Sequence, residues 1–130
     1  MEILQPPGWP RPKGYANGIA ASGRQVHVSG MVGWDAGGRF QTDDFVGQTR
    51  QALENIVAVL REAGAGPQHI VRMTWYVLDR REYLDAGAAL GAAYRDVIGR
   101  HYPAMSAVQV AALMEERARV EIEVTAVVPD

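Results

Sequence analysis

The clearest pattern of apolar and polar positions lies between Thr42 and Gly64. Apolar or small residues fall on one helical face at Phe45, Thr49, Ala52, Leu53, Ile56, Val57 and Leu60, and polar ones lie largely elsewhere at Gln48, Arg50, Gln51, Glu54 and Arg61. Thr42 can cap the helix, Asp43 and Asp44 stand in its first turn, where the dipole favours anions, and Gly64 supplies a stop. An amphipathic helix covering a flat apolar surface is predicted.

The segment from His69 to Asp79 has a strand pattern. It is rich in β-branched and aromatic residues. One face would carry Val71, Met73, Trp75 and Val77, and the other Ile70, Tyr76 and Leu78. Because both faces look apolar, the strand is predicted to be buried on both.

A second helix is predicted to open at Asp79, since Glu82 follows at the spacing of a capping box. Its apolar positions are Tyr83, Leu84, Leu90, Tyr94, Val97 and Ile98, and it is expected to end near Gly99. Two more strands, 105–113 and 119–128, are predicted to close the chain.

The N-terminal part has a different pattern. Residues 1–14 hold four of the seven prolines and are expected to form an irregular arm. Two short apolar segments follow Tyr15, and the turn sequence ASGR between them predicts a β-hairpin. Without a composition shift or a repeat, residues 1–130 are predicted to be a single domain.

This order of elements predicts an α+β fold with a mixed β-sheet of about six strands and two helices on one face. The strands at 69–79 and 105–113 look apolar on both sides, so the bare face of the sheet needs a cover from outside the chain. Self-association is the simplest cover, and a homo-oligomer is predicted.

Composition narrows the class of protein. The formal net charge is −2 and no run is dense in lysine or arginine, which argues against a nucleic-acid partner. Apolar runs are too short for a membrane span, and the N-terminus lacks the basic and apolar regions of a signal peptide. The absence of cysteine excludes disulfides and thiolate metal sites, and is compatible with the cytoplasm, the expected location.

Motifs for metal or nucleophilic chemistry are missing. No two of His27, His69 and His101 have metal-ligand spacing, and no serine stands in a GxSxG elbow. The glycines of GAGAGP open no helix, so they indicate a helix stop and a turn rather than a phosphate cradle. No metal site is predicted.

The last strand carries the most interesting polar side chains. Its alternation places Val120, Ile122 and Val124 on one face and Glu121 and Glu123 on the other. If that second face is buried at a subunit interface, these carboxylates are candidates for acid–base chemistry. Cross-strand pairing with an arginine is the simpler explanation.

Several ordered segments together carry a resemblance to a known family. They are GYANGI (14–19), VSGMVGWD (28–35), QTRQALENIVAVLREAG (48–64), IVRMTWYVLD (70–79), YPAMSAVQVAAL (102–113) and VEIEVTA (120–126). The set resembles the Rid family of reactive-intermediate deaminases, also called YjgF-like proteins and often labelled endoribonuclease L-PSP.

The resemblance implies a chorismate-mutase-like two-layer subunit in a homotrimer, with ligand sites in clefts between adjacent subunits. Members of the family hydrolyse enamines and imines, such as 2-aminoacrylate, to 2-keto acids and ammonia. It also implies that no cofactor is needed and that the partners are a small-molecule ligand and further copies of the chain.

Four positions match the family's site. Tyr15 matches its cleft tyrosine, and Ser29 and Gly30 match the serine and glycine of its SGQ block, where backbone groups meet the ligand. Glu121 matches the glutamate proposed to position water or move protons. The resemblance therefore implies catalytic roles for Glu121 and Tyr15.

Three other ligand-contacting positions depart from the family. Met31 replaces the glutamine after the glycine, Gly91 replaces a cleft asparagine, and Met105 replaces the arginine that grips the substrate carboxylate. An arginine fork makes two charge-assisted hydrogen bonds of roughly 1.5–3 kcal/mol each, so its loss weakens a carboxylate ligand by about a hundredfold or more. The pocket is thus expected to favour a less charged or more hydrophobic ligand, unless another arginine, such as Arg24 or Arg119, replaces the anchor.

Three functions follow as hypotheses. The first is an enamine or imine hydrolase with altered substrate choice, based on Tyr15, Gly30 and Glu121. The second is a non-catalytic metabolite-binding or regulatory trimer, based on the three departures. The third and least favoured is the endoribonuclease of the family label, because the chain shows neither a basic patch nor a histidine pair.

Overall fold

The computed structural model describes residues 1–130 and contains six strands and two helices. The elements are β1 (Glu2–Leu4), β2 (Gly18–Ala20), β3 (Arg24–Val32), α1 (Phe45–Glu62), β4 (Ile70–Val77), α2 (Arg80–Val97), β5 (Ala104–Gln109) and β6 (Val120–Val128), with a 3-10 turn at Pro67–His69. Four strands form a sheet in the order β3-β6-β4-β5, in which only β4 and β5 are parallel neighbours. The predicted α+β class with a mixed sheet is confirmed.

The N-terminal strands pair differently from the prediction. The hairpin predicted across the ASGR turn is wrong, because β2 pairs with β1 and β3 pairs with β6. Gly23 explains the change of direction: its φ is +146°, and it lies so close to the backbone of Val128 that a Cβ would overlap with it. The turn therefore delivers the chain to the end of β6. The arm is irregular only after Leu4, and Ala16 joins it to the sheet by donating to the carbonyl of Pro103 at 3.0 Å.

The N-cap of helix α1 lies two residues after the predicted cap, Thr42. Asp44 is the N-cap, and its carboxylate accepts from the amide of Gly47 at 2.8 Å. Thr42 stands just outside, where its hydroxyl accepts from the amide of Asp44. The stop at Gly64 is confirmed by its φ of +70°.

Gln48 was expected on the polar side of α1 but is fully buried. Its amide donates to the carbonyls of Thr42 and Arg117, and its oxygen accepts from the amide of Arg119 at 2.8 Å. Gln48 therefore satisfies the backbone where β6 begins, which a helical pattern cannot reveal.

Helix α2 starts at the predicted cap, where Asp79 accepts from the amides of Arg81 and Glu82. Glu82 does not close a capping box. It holds Arg119 with two bonds of 2.7 Å and ties α2 to the start of β6. The helix is interrupted at Gly87, whose φ and ψ are 48° and −120°.

Both helices cover the same face of the sheet. The core between them holds Leu53, Ile56, Leu60, Ile70, Met73 and Ile122, all fully buried. The expectation that β4 and β5 are apolar on both faces is wrong. A bulge at Val71 turns Ile70 into the core, so the open face carries Arg72, Thr74 and Tyr76, while β5 is largely exposed.

No helix of the chain is long and apolar enough to cross a membrane.

Candidate active site

A β-bulge in β3 forms the first part of the candidate site. Val28 is paired with Val124 and Met31 with Ile122, so Ser29 and Gly30 together oppose the single residue Glu123. A bulge leaves backbone groups out of the ladder and is frequent beside active sites. The extra residue at Ser29–Gly30 therefore leaves backbone groups outside the ladder opposite Glu123.

Glu121 lies beside this bulge. Its carboxylate occupies the space that a side chain at Gly30 would take, so the glycine is required for this close approach. Glu121 is partly buried and forms no ion pair or side-chain hydrogen bond within the chain. It is therefore available to a ligand or a water molecule.

The carboxylate of Glu123, two residues further along β6, is hydrogen-bonded within the chain. The Tyr76 hydroxyl donates to Oε1 of Glu123 at 2.6 Å, and this hydrogen bond raises the pKa of Tyr76. The simpler explanation from the sequence, pairing of these glutamates with an arginine, is wrong for both. The two carboxylates are thus distinguished by their partners, and Glu121 is the free one.

Met105 belongs to a second part of the site. Its register partner in β4 is Met73, which is fully buried beneath the helices, so Met105 faces α2. It lines a cavity of about 210 Å³ between α2 and β5, which we call the Met105 pocket. Its wall includes the side chains of Trp75, Tyr83, Leu90 and Tyr102, and the backbone of Gly91.

Tyr15 lies next to this pocket. Together with Met105, Lys13 and Tyr83 it lines an adjoining cavity of about 300 Å³. Its side chain is 43% exposed, so the ring can still close over a ligand. The structure thus brings Tyr15, Gly91 and Met105 together, as it does Ser29, Gly30 and Glu121.

Met31 joins neither group through its side chain. Its register partner is the buried Ile122, and it packs against the hydrophobic core. The Met31 side chain therefore contributes to core packing rather than to the wall of either part of the site.

Neither of the two arginines considered as a carboxylate anchor is free. Arg24 donates to the carbonyl of Ala63 at 2.7 Å, and Arg119 is held by Glu82, whose hydrogen bonds raise the pKa of Arg119. Sequence reasoning missed two other arginines. Arg11 and Arg100 form no ion pair and line a cavity of about 600 Å³ beside Tyr15, without any acidic side chain.

The aromatic wall of the Met105 pocket was also missed. The sequence pattern places Trp75 in a buried strand and Tyr83 at an apolar position of the second helix, and in the structure their rings contact edge to face at 5.9 Å. Their apolar neighbours on strand and helix looked like ordinary core residues, so nothing in the sequence signalled a cavity. No group of three or more histidine, aspartate or glutamate residues could hold a metal ion.

Comparisons with known proteins show the family of the chain. The family model described as endoribonuclease L-PSP matches residues 10–128. A RutC family protein of Synechocystis is 33% identical over 99% of this chain and 98% of its own length. The 2-iminobutanoate/2-iminopropanoate deaminase of Capra hircus is 34% identical over 80% of this chain and 73% of its length.

A solved structure has the same fold. A protein of unknown function of the conserved Rid family, from Yersinia pestis, superposes with a TM-score of 0.85 at 32% identity, covering 98% of both chains. The family match over residues 10–128 includes the bulge at Gly30, Glu121 and the Met105 strand. This chain belongs to the Rid family of YjgF-like proteins, the family of the endoribonuclease L-PSP model.

Proposed function

We propose that this protein hydrolyses imines and enamines to carbonyl compounds and ammonia. The observation that carries this proposal is the unpaired carboxylate of Glu121 against Gly30. Relatives named 2-iminobutanoate/2-iminopropanoate deaminase, from goat and from Salmonella typhimurium, support the reaction class.

The reaction needs one proton acceptor that later becomes a donor. With the imine protonated, Glu121 takes a proton from a water molecule as the oxygen bonds to the imine carbon, and the C=N bond becomes the C–N single bond of a carbinolamine. Glu121 then gives this proton to the nitrogen, and it accepts the hydroxyl proton as the C–N bond breaks, so that the oxygen forms the carbonyl, ammonia leaves and Glu121 returns its proton to the solvent. Unpaired backbone groups at Ser29 and Gly30 orient the substrate, and Tyr15 closes the cleft.

One chain alone does not bring these groups into contact. Glu121 is paired with Tyr76 on the open face of the sheet, whereas Met105 is paired with Met73 on the helix-covered face. A complete site therefore combines the Glu121 side of one subunit with the Met105 side of another. The assembly that we propose is the homotrimer implied by the family resemblance.

The structural reason for proposing an oligomer differs from the sequence-based one, which relied on an apolar open face of the sheet. The open face carries Arg72, Thr74, Tyr76, Glu121 and Glu123 and is largely polar. Subunit association is needed to complete the site, rather than to hide apolar surface.

The substrate proposed for this site is less charged than a 2-imino acid. Met105 has no charge to offer a carboxylate, and Arg24 and Arg119 are bound within the chain. Gly91 contributes no polar side chain. We therefore expect neutral imines to be hydrolysed faster than carboxylated ones of similar size.

Ammonia release tests the proposal. A neutral imine is generated from a primary amine by an amine oxidase, and a carboxylated imine from an amino acid by an amino-acid oxidase. Semicarbazide traps any imine that is not hydrolysed, so hydrolysis lowers the semicarbazone yield. We expect the protein to lower this yield, most strongly for the neutral imine.

Two matched variants locate the chemistry. Glu121→Gln keeps the shape of the side chain but removes the proton acceptor and should abolish the effect. Glu123→Gln removes the charge of the neighbouring carboxylate and should retain most of the hydrolysis activity. Equal loss in both variants, or no hydrolysis by the wild type, would contradict the proposal; ligand-induced thermal stabilisation without turnover would favour the non-catalytic binder.

A further inference from the structure

The Met105 pocket has walls suited to a flat, uncharged group. Trp75, Tyr83 and Tyr102 supply aromatic faces and edges, Leu90 and Met105 supply aliphatic surface, and no ionisable group other than tyrosine lines the cavity. Aromatic rings pack well against such walls in offset or edge-to-face geometry. A charged ligand would lose its hydration here without gaining a counter-ion.

Two aromatic residues of the pocket wall carry polar hydrogens without partners. Trp75 is only 2% exposed, and its indole N–H forms no hydrogen bond within the chain. The Tyr83 hydroxyl likewise forms none, whereas the Tyr94 hydroxyl donates to the carbonyl of His101. Burial raises the pKa of Tyr83 and keeps it a neutral donor. A buried donor without a partner is rare in folded proteins and points to a ligand acceptor.

Two glycines of α2 make room for such a ligand. Gly91 stands in the pocket wall, where a Cβ would meet only the flexible guanidinium of Arg95. Gly87 also lines the pocket and breaks the helical dihedral angles. Since an apolar cavity of about 150 Å³ binds benzene, one of about 210 Å³ accommodates a substituted ring.

We propose that the Met105 pocket binds an uncharged aromatic ring bearing a hydrogen-bond acceptor, received by the Trp75 indole N–H. The ring is then the substituent of an aryl imine, and this last step alone rests on the proposed function. The pocket lies within one chain, so binding of the ring does not depend on the catalytic glutamate.

Three small probes test the pocket directly. Acetophenone carries a ring and a neutral acceptor, ethylbenzene has nearly the same shape without the acceptor, and benzoate is charged. The readout is the indole N–H signal of Trp75 in ¹⁵N-labelled protein, assigned by its loss in Trp75→Phe. The signals of Trp9 and Trp34 serve as internal controls.

We expect acetophenone to shift the Trp75 signal saturably, ethylbenzene to bind about tenfold more weakly, and benzoate not to bind. Trp75→Phe should reduce the affinity for acetophenone to that for ethylbenzene. An unmoved Trp75 signal, or benzoate binding as tightly as acetophenone, would overturn the inference.

A variant that fills the pocket adds a second test. Gly91→Leu should weaken acetophenone binding at least tenfold, whereas Ala89→Leu, at an exposed position of the same helix, should not. Equal affinities in the two variants would place the ligand elsewhere. Ring binding without hydrolysis of aryl imines would count against the proposed function alone; hydrolysis of aliphatic imines without ring binding would count against the pocket alone.

Discussion

The carboxylate of Glu121 lies against the Cα of Gly30, where any side chain would displace it. A β-bulge brings about this contact, because Ser29 and Gly30 share one opposing residue in β6. A second glycine nearby, Gly33, approaches the backbone of Gln48 in α1, and a Cβ there would lie 2.6 Å from it. The two glycines thus make room for different structures, one a side chain and the other a helix.

Gly30→Ala should therefore separate function from stability. The flexible Glu121 side chain can move aside, so we expect a large loss of imine hydrolysis with little change in the thermal midpoint. Gly33→Ala should instead destabilise the fold by about 1–3 kcal/mol, since the obstruction is helix backbone. Turnover and denaturant unfolding of both variants check this, and a stability loss in Gly30→Ala as large as that in Gly33→Ala would refute it.

Mixing inactive variants should restore activity. With an aryl imine as substrate, Glu121→Gln disables one half of the proposed site and Gly91→Leu, which fills the Met105 pocket, disables the other. In the proposed homotrimer the two halves come from different subunits. In a random one-to-one cyclic assembly about one interface in four joins two intact halves, so about a quarter of the wild-type rate should return after the variants are refolded together. An unchanged background rate in mixtures of proven oligomers would mean that each site lies within one chain.

Met105→Arg should shift the preference towards carboxylated substrates. A guanidinium at this position can offer two charge-assisted hydrogen bonds, and we expect kcat/KM for a carboxylated imine, relative to a neutral one, to rise about tenfold or more. Met105→Gln is the uncharged control. If Arg11 and Arg100 already hold a carboxylate, wild type will prefer carboxylated imines and lose this preference in Arg100→Gln.

Tyr94 is expected to make the free energy of unfolding depend on pH in the alkaline range. Burial raises its pKa above the ordinary value of about 10, so the folded state keeps a proton that the unfolded state releases. This contribution is fully present below pH 10 and is lost as the pH rises towards the folded-state pKa. Thermal midpoints between pH 8 and 11 should fall less steeply in Tyr94→Phe than in wild type, and parallel curves would contradict this.

The bond between Glu82 and Arg119 should stabilise the fold more than a surface pair does. Both side chains are partly buried, and two bonds of 2.7 Å join them. Glu82→Gln should cost about 1–2 kcal/mol, while Asp85→Asn, in the exposed pair with Arg81, should cost about 0.5 kcal/mol or less. Urea unfolding of both variants measures the difference. Equal losses in the free energy of unfolding would show that the contact of Glu82 with Arg119 contributes no extra stability.

The sequence by itself determined the two helices and three of their four ends. Asp79, Gly64 and the apolar face from Phe45 to Leu60 act through local backbone chemistry and helical period, which one chain segment contains. The ordered family segments likewise carried Gly30 and Glu121 into a site hypothesis. Both the helix signals and the family segments lie within short segments of the sequence.

Only the tertiary structure decided strand pairing, the bulges and the faces of the sheet. The extra residue Val71 sends Ile70 inwards, and Gly23 turns β3 towards β6 instead of β2. Whether Glu82 caps a helix or binds Arg119, and whether Trp75 is core or pocket wall, depends on neighbours far away in sequence. Long-range packing chooses among contacts that are locally equivalent, and for that reason the opposite placement of Met105 and Glu121 emerged only from the fold.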